Sequence, residues 1–195
     1  HNNDFVIGTV KALESKYGIH ELILVFDMLK KQLDSNSNLK KNLKLFIYGD
    51  GSQKEFLNNI IEEKKLSDCI FLKGRIPNSE VPKAISEFDI FIALSQLDSE
   101  SFVVAAVEAM AMKKPVVTSD VDGFKEVMEN NVTGFIVKRD NILEATCAIE
   151  KIVENETLRK IMGENGRKRV EKLYAWDKNV EYMLSIYKRS MKCKK

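Results

Sequence analysis

Two glutamates, Glu100 and Glu108, stand eight positions apart in the stretch Ser95-Gln-Leu-Asp-Ser-Glu100-Ser-Phe-Val-Val-Ala-Ala-Val-Glu108-Ala-Met-Ala-Met. The residues from Phe102 to Val107 are small or apolar, as in a mostly buried helix. At a rise of about 1.5 Å per residue, such a helix separates the two carboxylates by roughly 12 Å along its axis. That is the reach from a hexose to a ribose across a diphosphate, with the phosphates at the unpaired amides of the helix N-terminus. A buried carboxylate at Glu108 needs a partner, and a ribose diol can donate both hydroxyls to it. The competing structural reading makes Glu100 a helix cap and pairs Glu108 with an internal Arg or Lys. On spacing alone the two readings stand about even, since carboxylates near a helix start are favoured anyway.

Other groups suited to the same ligand are scattered along the chain. Lys11 and Lys16 follow the apolar run Val6-Ile-Gly8-Thr9-Val10, where a diphosphate would need positive charge; a solvated lysine pair is the alternative. Gly49-Asp50-Gly51 lacks the spacing of GxGxxG and the GK[ST] of a P-loop, so it reads as a turn rather than a phosphate cradle. Lys73-Gly74-Arg75-Ile76-Pro77 offers backbone amides and an apolar side chain to a nucleobase edge, or is a plain strand-to-helix turn. Asp120-Val-Asp122 is the nearest approach to an Asp-x-Asp metal motif; it leads towards a helix and reads as a cap, so no metal requirement follows.

The elements that must position these groups are short apolar runs alternating with helical patterns. Strands are expected at Phe5–Val10, Lys44–Tyr48, Ile70–Lys73, Ile90–Leu94, Val116–Ser119 and Gly134–Val137, with the Val, Ile and Phe content of strands covered on both faces. Helices are expected near 20–33, 53–65, 80–87, 102–112, 123–128, 141–154, 156–173 and 177–191, with Pro82 in the first turn of the third. Alternating strand and helix implies an α/β fold, a Rossmann-like doubly wound parallel sheet of about six strands with extra C-terminal helices. Ligands in such sheets bind outside the carboxyl ends of the strands, where Gly49, Gly74 and Ser95 fall. No internal repeat or linker interrupts residues 1–195, which read as one domain.

Whole-chain properties narrow the classes. The 195 residues are 44% hydrophobic and 31% charged, enough for a real core. A net charge of +2, from 31 basic and 29 acidic residues, argues against nucleic acid as a partner. No apolar run is long enough to span a membrane. The basic C-terminal Tyr187–Lys195 reads as a solvated tail, with peripheral contact to anionic lipid as the alternative. Cys69, Cys147 and Cys193 have no metal-like spacing and Cys69 reads as core, which suggests a reducing, cytoplasmic compartment. His1 and His20 are too few for a histidine-based triad or zinc site. The chain opens at His1-Asn-Asn-Asp4 just before an apparent strand, as a domain excised from a longer protein would.

These segments together resemble the C-terminal, nucleotide-sugar-binding half of a GT-B glycosyltransferase of the family 4 type, a retaining and metal-independent class. The resemblance runs from Val6-Ile-Gly8 to the helix containing Trp176. It is carried by Glu100-Ser-Phe-Val-Val-Ala-Ala-Val-Glu108, which looks like the family's E-x7-E motif, by Lys114-Pro115-Val-Val-Thr-Ser-Asp120…Gly123…Glu126-Val, and by Asn131-Val-Thr-Gly134-Phe-Ile-Val. It implies that Glu100 meets the donor sugar near the reacting carbon without acting as a covalent nucleophile, and that Glu108 binds the ribose hydroxyls. The amides of Phe102, Val103 and Val104 would hold sugar and diphosphate, Lys16 would pair with the diphosphate, and Ile76 would meet the base through its backbone. Gly8 and Gly49 would line the donor cleft, and Thr9, Lys11, Arg75, Ser95 and Ser101 complete the expected donor-binding set.

Three departures from the family pattern stand out. Thr9 replaces an arginine, with Lys11 nearby to supply charge and a longer loop from Gly8 to Lys16. Val103 replaces a glycine, and Tyr17 interrupts a Lys-Gly pair. The resemblance implies no cofactor beyond the substrate, a UDP- or GDP-linked sugar, and an N-terminal acceptor-binding domain absent from this chain. The last helix, Trp176–Met191, would cross towards that domain, leaving Trp176, Tyr182 and Met183 exposed here. The inner face of the membrane is the alternative to a purely cytoplasmic setting. A non-catalytic nucleotide-sugar-binding module, a sugar-nucleotide epimerase on the same fold and a plain α/β interaction domain stay open beside sugar transfer.

Overall fold

The fold was obtained as a computed structural model, which describes residues 4–35, 42–98 and 104–192. Its strands are β1 (Asp4–Val10), β2 (Asn42–Tyr48), β3 (Ile70–Gly74), β4 (Ile90–Ala93), β5 (Val116–Ser119) and β6 (Gly134–Val137). Its helices are α1 (Ile19–Ser35), α2 (Lys54–Glu63), α3 (Val81–Ser86), α4 (Val104–Ala111), α5 (Asp122–Val127), α6 (Ile142–Glu154), α7 (Glu156–Leu173) and α8 (Trp176–Lys192). All strand pairs are parallel, in the order β3-β2-β1-β4-β5-β6. This is the doubly wound Rossmann-like sheet expected from the alternation of apolar runs and helical patterns.

Burial on both faces explains the composition of the strands. Every residue of β4 and β5 is buried. One apolar layer joins the sheet to α1, α2 and α6 through residues such as Phe26, Leu57 and Ile149. The other joins it to α3, α4 and α5 through Ile85, Met110 and Phe124. The first two strands start earlier than hydrophobicity alone indicates. There Asp4 accepts a hydrogen bond from Asn42 Nδ2 at 2.6 Å and pairs with Lys44, a polar closure beside the Asp4–Asn42 register pair.

β1 lies between β2 and β4, so the direction of strand addition reverses beside it. Loops leaving β1 and β4 diverge there and open a crevice at the carboxyl end of the sheet. The helix after β4 is held from behind by α7. A Cβ at Gly163 would collide with the Lys113 carbonyl, and one at Gly166 would press on Met110, so both glycines allow close approach to α4 and its exit. Arg167 Nη1 donates to Ala111 O at 2.7 Å, satisfying the C-terminal end of α4. Arg169 Nε donates to Val127 O at 2.7 Å and does the same for α5.

The chain after β6 forms the three expected C-terminal helices. Asn155 caps α7, its side-chain oxygen accepting from Leu158 N at 2.9 Å. α8 leaves apolar side chains uncovered: Trp176 is 79% exposed, Tyr182 64% and Met183 53%, as the resemblance implied. Among the described residues no helix is long and apolar enough to cross a membrane.

Candidate functional site

The crevice is built from strand exits tied to one another by backbone contacts. Lys11 N donates to Tyr48 O at 2.9 Å and Leu13 N to Asp50 O at 3.0 Å, joining the exits of β1 and β2. Gly49 stands where a Cβ would collide with the Lys11 carbonyl, and its φ of 152° is one that side-chain-bearing residues rarely adopt. It donates its N–H to Gly74 O at 2.8 Å, which brings in the exit of β3. On the other side, Gln96 N donates to Lys16 O at 2.8 Å and joins the loop after β1 to the exit of β4. Gly18, at φ 68°, leaves no room for a Cβ beside the Leu94 carbonyl, so this contact also demands glycine. The turn Gly49-Asp50-Gly51 serves this stitching, and Glu14 secures it by accepting from Ser52 N at 2.9 Å and Ser52 Oγ at 2.6 Å.

The positive side of the crevice comes from Lys11 and Lys16. Their Nζ atoms lie 4.4 and 5.0 Å from the centroid of the Tyr17 ring. Both ammonium groups therefore gather at one aromatic surface, which attracts them through its quadrupole. The tyrosine that interrupts the family's Lys-Gly pair thus has a definite place: it holds the two cations in one locality.

Two residues of the expected donor-binding set stand inside a strand. Gly8 and Thr9 belong to the interior of β1, which runs on to Val10. The space where Gly8 would carry a Cβ is occupied by the Phe88 ring, and Thr9 is buried. Gly8 thus packs against Phe88, and the first position past the strand is Lys11. The reading of Asp120 as a helix cap is corrected. The N-cap of α5 is Val121, without a side-chain cap bond, and Asp120 Oδ1 instead accepts from Arg139 N at 3.0 Å and Arg139 Nε at 3.2 Å.

Arg75 is exposed and Ile76 half-buried at the exit of β3, and together with Pro77 and Asn78 they line an open groove. Ser95 is fully buried at the exit of β4; its carbonyl accepts from Ser119 Oγ, and its own Oγ has no partner among the described residues. Val104 opens α4 and is 57% exposed. Glu100, Ser101, Phe102 and Val103 lie outside the described residues.

Glu108 sits one turn into α4 and is half-buried. Burial pushes its carboxyl pKa above the ordinary 4.5, and among the described residues no cation offsets that effect. Among the described residues no donor reaches the carboxylate. The structural reading in which Glu108 pairs with an internal Arg or Lys therefore finds no such residue there.

Asp98 and Arg139 carry no signal in the sequence, and Asp120 carries only that of a helix cap. Asp98, Asp120 and Arg139 meet across the exits of β4, β5 and β6, with Arg139 Nη1 at 2.8 Å from Asp98 Oδ2. The three are 19 to 41 positions apart, so no local spacing marks them. Hydrogen bonds from Arg139 hold the Asp98 carboxyl below its usual range. Asp120 is held low as well, although burial works against it. Among the described residues no group of His, Cys, Asp and Glu side chains gathers as a metal site.

Comparison with known proteins places this geometry. Residues 1–169 match the family described as glycosyl transferases group 1. The chain belongs to that family. It is 32% identical to the capsular polysaccharide biosynthesis glycosyltransferase CapM of Staphylococcus aureus, over 98% of this chain and 48% of the relative. The chain thus spans about half the length of that relative. Among solved structures it is similar to S. aureus TarM, in a mutant form complexed with fondaparinux, alpha-GlcNAc-glycerol and UDP. There the TM-score is 0.82 and the identity 26%, over 95% of this chain and 36% of that one. The fold also matches the C-terminal domain of the group 1 glycosyl transferase LpcC of Francisella tularensis, with a TM-score of 0.77 and 20% identity, over 88% of this chain and 87% of that one.

Proposed function

We propose that this chain is the donor-binding, C-terminal domain of a retaining, metal-independent glycosyltransferase of the family 4 type. It would take a nucleoside-diphosphate sugar, UDP- or GDP-linked, and serve transfer of the sugar to an acceptor hydroxyl bound by an N-terminal domain. The observation that carries the reading is Glu108, a carboxylate that burial disfavours and that no described side chain compensates. A ribose diol supplies the two donors it lacks. A complex of UDP with a relative of matching fold supports a nucleotide as the ligand.

The chemistry follows from charge. Transfer breaks the bond between the anomeric carbon and the diphosphate oxygen, whose electron pair stays with the leaving diphosphate. The acceptor oxygen forms the new bond on the same face of the sugar, and its proton passes to the departing phosphate oxygen. Negative charge on the diphosphate is met by Lys11, Lys16 and amides at the start of α4. Glu100 orients the sugar and stabilises its cationic character, while Ile76 and Arg75 border the base. The uncovered face of α8 packs on the remainder of the enzyme, in a cytoplasmic setting.

Calorimetry of the chain against UDP-, GDP- and ADP-linked sugars tests the reading. Binding of at least one of them, abolished or strongly weakened in Glu108→Ala, is expected. Binding of none, or indifference to Glu108→Ala, contradicts it. Acceptor-dependent transfer by the full-length protein distinguishes a transferase from an epimerase or a binding module.

A further inference from the structure

The cluster around Arg139 has no place in the chemistry above, yet it touches the backbone that frames the crevice. Arg139 follows β6. Its Nη1 donates to Asp98 Oδ2 at 2.8 Å and lies 3.5 Å from Gln96 O; its Nε and backbone N both reach Asp120 Oδ1. The other oxygen of Asp98 accepts from Asp122 N at 3.3 Å, and Lys125 pairs with Asp122 at 3.0 Å. One guanidinium thus binds the exits of β4, β5 and β6 together.

Arg139 is a poor candidate for contact with a diphosphate. Its single positive charge faces two carboxylates, which leaves the cluster net negative before any ligand arrives. The cluster also does little for global stability, because Arg139 is 33% exposed and Asp98 49%, a range in which ion pairs contribute little. What it does is geometric. The carbonyl of Gln96 faces Arg139 while its N–H donates to Lys16 O at 2.8 Å. A single residue therefore links the ion cluster to the loop that carries the diphosphate lysines.

We propose that Arg139 is a positioning residue for the donor site: through Asp98 and Gln96 it fixes the exit of β4, and through Gln96 it sets where the Lys16 loop stands. This rests on the donor-binding reading given above. The planar fork of arginine matters, because one lysine ammonium cannot meet two carboxylates and a carbonyl in the same directions.

The test uses the chain with Arg139→Ala, Arg139→Lys and Asp98→Asn, the last keeping the Arg139–Asp120 contacts should loss of the arginine prevent folding. Amide hydrogen exchange is read at residues 95–98 and 120–122 without ligand, and UDP- and GDP-sugar affinity is read by calorimetry. We expect faster exchange confined to those segments and a thermal midpoint lowered by less than about 4 °C. Nucleotide-sugar affinity should fall about tenfold or more, because small misplacements of a binding group carry large penalties, and Arg139→Lys should recover part of it. Unchanged exchange in both Arg139→Ala and Asp98→Asn overturns the clamp. Faster exchange with unchanged affinity overturns its role in the donor site. A wild-type chain that binds no nucleotide-sugar overturns the donor-binding reading instead, an outcome distinct from a wild type that binds and an Arg139→Ala variant that binds equally well.

Discussion

Asp27 and Glu108 are both helix carboxylates removed in part from water, and the structure treats them in opposite ways. Asp27, on α1, is buried but meets Lys31 and Lys64, each at 2.9 Å. Burial pushes its pKa up, yet the two lysines outweigh this and hold it below the ordinary 3.8. Glu108, on α4, meets no described cation, and burial alone sets the direction of its shift, upward. Among the described residues, the burial of one carboxylate is thus answered by two lysines and that of the other by none. A desolvated carboxylate without a partner in a crevice is a candidate for ligand binding, whereas a compensated one is a structural fixture.

Substitution should separate the two. The largest effect is expected from Glu108→Ala, which should weaken nucleotide-sugar binding by about 2–3 kcal/mol, the scale of hydrogen bonds to a charged group. Its urea midpoint should stay level or rise, since an uncompensated carboxylate has been removed. Asp27→Ala should do the reverse. It should cost about 1–2 kcal/mol in urea unfolding by leaving Lys64 without its acceptor, with no change in affinity by calorimetry. Loss of affinity in Asp27→Ala, or of stability in Glu108→Ala, would erase the distinction.

The legibility of these regions in the sequence differs for physical reasons. β5 and β6 are readable end to end, because Val116–Ser119 is a short buried run and Gly134–Val137 a partly buried one, with Pro115 and Gly134 at their starts. α7 is readable at both ends for a similar reason, its helical pattern beginning after Asn155 and closing at Leu173. Gly8 and Thr9 are legible in part: the apolar run marks a strand reaching Val10, paired opposite Tyr48, but that the missing Cβ of Gly8 makes room for Phe88 needs coordinates. Arg139 is illegible, because an ion cluster assembled from three strand exits leaves no spacing to detect. Lys11 and Lys16 are visible as charge at a strand end, but their convergence on Tyr17 needs coordinates.

That convergence gives a smaller test. Lys16→Ala should weaken binding of the nucleoside-diphosphate sugar by about 1 kcal/mol, as expected for a partly solvated ion pair. The loss should shrink at high salt as screening grows. The effect of Glu108→Ala, a hydrogen-bonding contribution, should be far less sensitive to salt. Equal salt dependence for the two variants would mean that both act through long-range charge.

The smallest effect is the pH dependence of stability, and here the two carboxylates carry opposite signs. Glu108 holds its proton more tightly in the folded chain. Its contribution is therefore full below about pH 4.5 and is lost as pH rises through the folded value above it. Asp27 releases its proton more readily when folded. Its contribution is present above about pH 3.8 and is lost as pH falls through the lower folded value. Comparing urea midpoints of Glu108→Gln and Asp27→Asn with wild type from about pH 3 to 7 should show differences of opposite slope. Slopes of the same sign would contradict the contrast.

Completion of Glu108 by the ribose of a nucleotide is the interaction on which the proposed donor binding turns. It is tested most directly by titrating wild type and Glu108→Gln with a nucleoside-diphosphate sugar and with its 2′,3′-dideoxyribose analogue. Removing the two hydroxyls should weaken binding to wild type about tenfold or more, and binding to Glu108→Gln far less, because the hydroxyls and the carboxylate are one interaction. Equal losses in both proteins would show that the ribose is held elsewhere and that Glu108 has another role.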